Sequence, residues 1–262
     1  FDSRSNTPII IEDYLDIMML TPVTVGVATQ EQIESIRPKF RYFKENPAYW
    51  LEWPSFMFPF AEAAWNVGER EFIAQVIADT ANRIYARLDE RELQPVGDAD
   101  TGLPPQYNYR IPGVSDEFWP LEADNPGGCE NYGWGATLPM HIIRNVIGFR
   151  EVDTLDRDQF VLAPAVPAHM AQPGRTYGIS NLLFRGTRND VTYRVVGRGE
   201  IVVGLTCRSR ALKTVTVTDQ EGRIVAETPV AAQDVALNFD GISGGLYTVT
   251  VGPPRASQAG AC

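Results

Sequence analysis

The chain has 262 residues, 44% of them hydrophobic, which is enough apolar material for one large core or two smaller ones. Its formal net charge of −10 argues against nucleic acid and anionic membrane surfaces as partners, because their phosphates would repel it. No apolar run approaches the ~20 residues of a membrane helix, and the opening FDSRSNTPIII lacks a charged segment followed by a signal core, so a soluble protein is expected with its compartment left open. Cys129, Cys207 and Cys262 are too few and too scattered for a disulfide framework or a zinc site. His141 and His169 leave little material for a histidine metal cluster or a Ser/His/Asp triad, so neither metal nor cofactor is expected.

The first fifty residues hold short periodic pieces with breaks at Pro8, Pro22, Pro38 and Pro47. Glu12 to Leu20 reads as a short helix. Thr29 is an N-cap candidate, since Thr29-Gln-Glu-Gln32 has capping-box spacing before Ile33 and Ile36. Asn46 to Asn66 is an aromatic-rich entry followed by a helix. Its Trp50, Trp53, Phe56, Phe58, Phe60 and Trp65 exceed one narrow stripe, so the helix is expected to be buried on most sides. Glu52 and Trp53 are also candidates for a sugar site. From Glu69 to about Glu90, Phe72, Ile73, Val76, Ile77, Thr80, Ile84 and Leu88 recur at three and four, predicting an amphipathic helix.

Residues 93–133 show no sustained period and are rich in proline, glycine, carboxylates and aromatics, predicting a long ordered loop. Helical spacing returns at Leu138, Ile142, Ile143, Val146 and Ile147, with Gly148 where a C-cap would sit. Past Arg150 the pattern changes to short β-branched runs: FVLAPAVP, TYGISNLLFRG, DVTYRVVG, IVVGLTC, KTVTVTD, RIVAET, DVALNF and GLYTVTVG. Turn pairs such as Arg-Gly, Asn-Asp and Glu-Gly punctuate them, which predicts an antiparallel β-sandwich over 152–262 ending in a loose tail, PPRASQAGAC. Residues 1–151 are expected to be the helical part, giving an α-then-β chain with its boundary near Val152.

Three stretches resemble one group of carbohydrate-active enzymes. Tyr49-Trp50 followed by Trp53-Pro54 opens a helix. Glu117-Phe118 lies 17 residues before the Trp134 of Tyr132-Gly133-Trp134-Gly135-Ala136, and Gly127-Gly128-Cys129-Glu130 lies just ahead of that element. Together, over roughly residues 46–150, they resemble inverting α-glycosidases of the trehalase, mannosylglycerate hydrolase and processing α-glucosidase I type. The resemblance implies helices of an (α/α)6 barrel followed by a β-sandwich. It also implies Glu117 as general base, Glu130 as an acid touching the sugar in the cleaved subsite, and Trp53 in the segment lining the sugar pocket. Two stretches depart from the family pattern, Trp50-Leu51-Glu52-Trp53 and Glu117-Phe118-Trp119-Pro120, which bears on the substrate.

The residue types suit that chemistry. Inversion needs one carboxylic acid to protonate the leaving oxygen and a carboxylate on the opposite face to activate water, about 6.5–9.5 Å apart. Trp119, Tyr132 and Trp134 could supply flat faces for sugar rings. Each residue also has a plain reading: Glu117 as a solvated loop carboxylate, Glu130 as an acid near the N-terminus of the following helix, Trp134 as core packing. In families of this type the acid, an Asp, lies well over a hundred residues before the base. Here only 116 residues precede Glu117, and Asp98, Asp100 and Asp116 share its loop. The chain starts at Phe1, and it is expected to be the C-terminal part of a larger enzyme, inactive alone, with the acid on an N-terminal companion chain. Its other partner would be a carbohydrate.

Two rivals stay open. A polysaccharide lyase of the toroid-plus-sheet type would use Tyr107, Tyr109, Arg110 and His141. A non-catalytic carbohydrate-binding subunit would use the aromatic loop and the β unit only to hold sugar.

Overall fold

The computed structural model describes residues 20–45, 56–85, 95–96, 106–107, 136–152 and 158–253. A short helix α1 (Thr21–Thr24) is followed by α2 (Gln30–Glu45), α3 (Met57–Asn66) and α4 (Arg70–Tyr85). The short strands β1 (Pro95–Val96) and β2 (Gln106–Tyr107) then pair antiparallel, a hairpin inside the stretch expected to be loop. The Glu12–Leu20 helix lies outside the described residues except for Leu20, which is buried.

The capping box forms as its spacing requires. Thr29 N–H donates to Gln32 Oε1 at 2.8 Å, and Gln32 N–H donates to Thr29 Oγ1 at 3.3 Å. Pro38, expected to break the chain, instead lies inside α2. An interior proline costs about 3 kcal/mol relative to alanine. Pro38 itself is exposed, and the opposite face of α2 buries Phe40 and Phe43 completely and packs Ile33 and Ile36 against the same core. At about 1.5–3 kcal/mol for each large side chain removed from water, that face outweighs the lost hydrogen bond.

Helices α3 and α4 form a hairpin. Gly68, at φ +85°, ends α3 in a Schellman turn, with Glu69 N–H donating to Ala64 O at 2.8 Å and Gly68 N–H to Trp65 O at 3.0 Å. The α3 helix is buried on most sides through Met57, Phe60, Ala61, Glu62, Ala63 and Ala64, while Phe58 stays exposed. Ile73, Val76 and Ile77 of α4 complete this helical core with Leu138 and Val146.

Where continuous helical spacing was read from Leu138, there is a single α-turn, α5 (Leu138–His141), then a π-helical segment (Ile142–Val146) closed by Ile147 N–H to Ile142 O at 3.0 Å. The wider turn changes which side chains face which neighbour. Ile142 and Val146 pack on the helical core, whereas Ile143 and Ile147 pack on the strand core. Gly148 then reverses the chain at φ +75°, and a Cβ there would lie 2.0 Å from Ala163 O, so no other residue fits.

The rest is antiparallel sheet. Strand β3 (Phe149–Glu151), N-terminal to Val152, already pairs with β4 (Asp158–Leu162). The others are β5 (Thr176–Phe184), β6 (Thr187–Val195), β7 (Glu200–Thr218), β8 (Ile224–Glu227), β9 (Ala232–Ile242) and β10 (Tyr247–Gly252). The sheet order is β3-β4-β10-β7-β6-β5, with β8 and β9 also on β7. IVVGLTC and KTVTVTD, read as two runs, are one strand of 19 residues, because Arg208 to Lys213 holds a register shift and neither glycine nor proline. Its first half pairs with β6 and β9, its last residues with β10 and β8. The sheet therefore curls on itself through β7, and its two halves enclose one core. Phe184 of β5 meets Phe149 and Phe160 of β3 and β4 at 5.7 and 5.5 Å between ring centroids.

Arg185-Gly186 makes the two-residue β5–β6 turn with positive φ at both positions, and Gly222 turns β7 into β8. Asn189-Asp190, read as a turn, lies inside β6 and supports a bulge in β5. Asn189 Nδ2 donates to Leu182 O, and Asp190 Oδ1 accepts the N–H of Asn181, which sits at φ +59°. Tyr247 Oη accepts the Ile242 N–H at 2.9 Å, a tyrosine corner closing the β9–β10 turn. Of the cysteines, Cys207 is free and buried; Cys129 and Cys262 lie outside the described residues. Among the described residues no helix is long and apolar enough to cross a membrane.

Candidate functional site

Glu117, Glu130, Trp53, Trp134, Tyr132, Trp119 and Glu52 all lie outside the described residues. What is described is the helix that follows each of the two segments carrying them. Phe58, five residues past Trp53, and His141, seven past Trp134, stand with ring centroids 6.0 Å apart. The segments that contribute Trp53 and Trp134 thus run into neighbouring turns of helix.

Behind that contact is a buried polar cluster. Glu62, on α3, receives Arg144 as a fork, Nε to Oε1 at 3.1 Å and Nη2 to Oε2 at 3.0 Å. Arg150, on β3, adds Nη1 to Oε2 at 2.7 Å. Arg150 also donates from Nη2 to Asn145 Oδ1 at 2.6 Å and from Nε to Arg144 O at 3.3 Å, and Asn145 donates to His141 O at 3.2 Å. Trp65 lies under the Arg150 guanidinium, 3.8 Å from ring centroid to charge, with Arg70 at 5.0 Å. The π-helical segment makes this possible by presenting Arg144 and Asn145 on consecutive positions toward α3 and β3.

The electrostatics decide what these groups can do. Burial by itself raises the Glu62 carboxyl, but the hydrogen bonds from Arg144 and the charge and hydrogen bond of Arg150 outweigh it and hold Glu62 below the usual carboxylate range. With its oxygens engaged by two guanidiniums, Glu62 is a poor proton acceptor and serves as a clamp. Arg150 is pulled down to about 10 by burial and remains charged at neutral pH. His141 falls to about 4, chiefly by burial, with Arg144 and Arg150 adding to the effect and Glu62 opposing it. Among the described residues neither of its ring nitrogens has a hydrogen-bond partner, and its side chain is buried. That is poorly suited to the proton abstraction the lyase reading asks of it.

The cluster was legible only as an oddity: a lone carboxylate in the apolar run MFPFAEAAWN, and two arginines within IIRNVIGFR. Nothing in the sequence paired residues 82 and 88 positions apart.

At the turn end of the β unit lies a cleft of about 720 Å³, formed where the β6–β7, β7–β8 and β9–β10 turns meet. Carboxylates of Glu200, Asp219, Glu221 and Asp240, the guanidinium of Arg223, and the side chains of Val196, Ile242 and Leu246 are among its walls. Among the described residues, no three His, Cys, Asp or Glu come together as a metal site.

No protein-family model, curated protein or solved structure matches this chain.

Proposed function

We propose that the chain is the C-terminal part of an inverting glycoside hydrolase in which Glu117 is the general base. The observation that carries this reading is the approach of Phe58 to His141, backed by the clamp of Glu62 on Arg144 and Arg150. It supports a common site for the segment around Trp53 and the segment holding Glu117, Glu130 and Trp134, the same pair of segments that resemble the trehalase-type glycosidases. The architecture that accompanies the reading is an (α/α)6 barrel, of which the α3–α4 hairpin is one repeating unit, followed by a β-sandwich.

In this mechanism Glu117 stays ionised, faces water and takes its proton as that water attacks the anomeric carbon. Glu130 and Glu52 hold sugar hydroxyls, and Trp53, Trp119, Tyr132 and Trp134 stack on ring faces. The acid that protonates the leaving oxygen belongs to a companion N-terminal chain, about 6.5–9.5 Å from Glu117 as inversion demands. Glu62 takes no proton in the reaction; it fixes the helices from which both site segments depart.

The test is Glu117→Gln in the assembled protein. Turnover of a glycosidic substrate should fall about 10²–10⁴-fold with sugar affinity retained, the range for loss of a general base. NMR of the first-formed product should show the inverted anomer. A product absorbing in the ultraviolet from a uronate substrate would make it a lyase instead. An assembled protein that binds sugar but turns none over would make it a binding subunit.

A further inference from the structure

We propose that the cleft at the turn end of the β unit binds a saccharide, through vicinal hydroxyls on one side and a ring C–H face on the other. The proposal builds on the glycosidase reading and adds to it a second sugar site, on the strands rather than on the helices.

The size fits: about 720 Å³ lies within the range of about 300–1,000 Å³ typical of small-ligand pockets. Two acceptors are available. Among the described residues, the Glu200 and Asp240 carboxylates make no hydrogen bond and no ion pair. They sit on adjacent strands, Glu200 opposite Ile242 and Val202 opposite Asp240, so they are diagonal neighbours on one face. Such neighbours are about 7–8 Å apart at the backbone, a span that one sugar ring can bridge with hydroxyls at both ends.

A donor is held in place beside them. Asp219 Oδ1 accepts the turn N–H groups of Glu221 and Arg223, while Asp219 Oδ2 accepts Arg223 Nε at 2.6 Å. Glu221 Oε2 accepts Arg223 Nη2 at 2.9 Å. Asp219 and Glu221 therefore spend their charge on the guanidinium, whose Nη1 is left over to donate. The apolar share of the cleft is at its mouth, where Val196 and Ile242 are 46% and 56% exposed. Carboxylate acceptors, an anchored guanidinium and an open aliphatic edge together match a polyhydroxylated ring better than a simple cation, which would leave the aliphatic edge unused.

The floor is preorganised. Cβ atoms added at Gly241 and Gly245 would lie 3.0 and 2.8 Å from the Tyr247 phenol oxygen, so both backbones press on that side chain. The same turn is docked on α4, where Arg70 Nη1 donates to Gly244 O at 3.2 Å. A ligand on this floor pays little ordering entropy.

The experiment titrates the 1–262 chain with neutral disaccharides built on glucose, mannose or xylose, read by amide NMR and by calorimetry. Shifts confined to Gly241, Gly245 and Glu221 are expected, with at least tenfold weaker binding in Asp240→Ala and in Glu200→Ala, whose exposed side chains leave the fold intact. Glu117→Gln should leave these shifts unchanged, which separates this cleft from the hydrolytic site. No shift at the cleft with any disaccharide, or unchanged affinity in both variants, overturns the proposal. Shifts at the cleft from trilysine but from no disaccharide overturn it likewise, because the cleft would then be a cation site.

Discussion

Single residues in the cluster between helices and strands set the pH response. Among the described residues His141 is buried without a hydrogen-bond partner, and the charges facing it are Glu62 on α3, Arg144 on the π-helical segment and Arg150 on β3. Its folded value of about 4 lies below the 6.5 of the free side chain. Between those values the unfolded chain binds a proton that the folded chain does not, so stability is full above about pH 6.5 and falls as the pH drops toward 4. A shift of this size is worth about 3 kcal/mol across that window. Urea unfolding at pH 7, 5.5 and 4.5 should show the decline, and His141→Leu should flatten it. An unchanged slope in the variant would mean that other groups carry the acid sensitivity.

Among the elements, several were legible because their determinants are local. The Thr29–Gln32 box, the Arg185-Gly186 turn and the stripe of α4 depend on residues within a few positions of one another. Pro38 and Asn189-Asp190 misled for the opposite reason, since each obeys a distant partner: the core beneath α2 and the bulge of β5. Glycines show the same division. Gly222 and Gly148 both have positive φ, but only Gly148 is also pressed against backbone, that of Ala163. Gly222→Ala should cost about 1–2 kcal/mol, the strain of a side chain in the left-handed region. Gly148→Ala adds a collision with a carbonyl that cannot move aside, and its melting temperature should fall much further. Equal shifts in thermal unfolding would show that the β3–β4 junction yields.

At the scale of the whole molecule, polar bonds and the ring of Tyr177 tie the two cores among the described residues. Tyr177 packs on both cores, Tyr193 Oη donates to Ile147 O at 2.6 Å, and Glu62 joins α3 to β3 through Arg150. Removing the charge of Glu62 leaves Arg144 and Arg150 without their counterion, and breaking such a buried pair costs about 3–5 kcal/mol. Glu62→Gln should therefore lower the urea midpoint by that equivalent. A loss under about 1 kcal/mol would mean that the arginines find water instead.

The sequence by itself determined the order of helices and then strands, the Thr29–Gln32 cap and the Arg185-Gly186 turn. Hydrophobic period and turn chemistry act over a few residues and need no knowledge of the partner. Only the tertiary structure decided that two strand-like runs are one bent β7, that a π-helical segment stands between two cores, and that Glu62 belongs to Arg144 and Arg150. Those outcomes depend on which surfaces meet across the chain. Burial then assigns to a charge, a proline or a glycine a cost that its immediate neighbours do not encode.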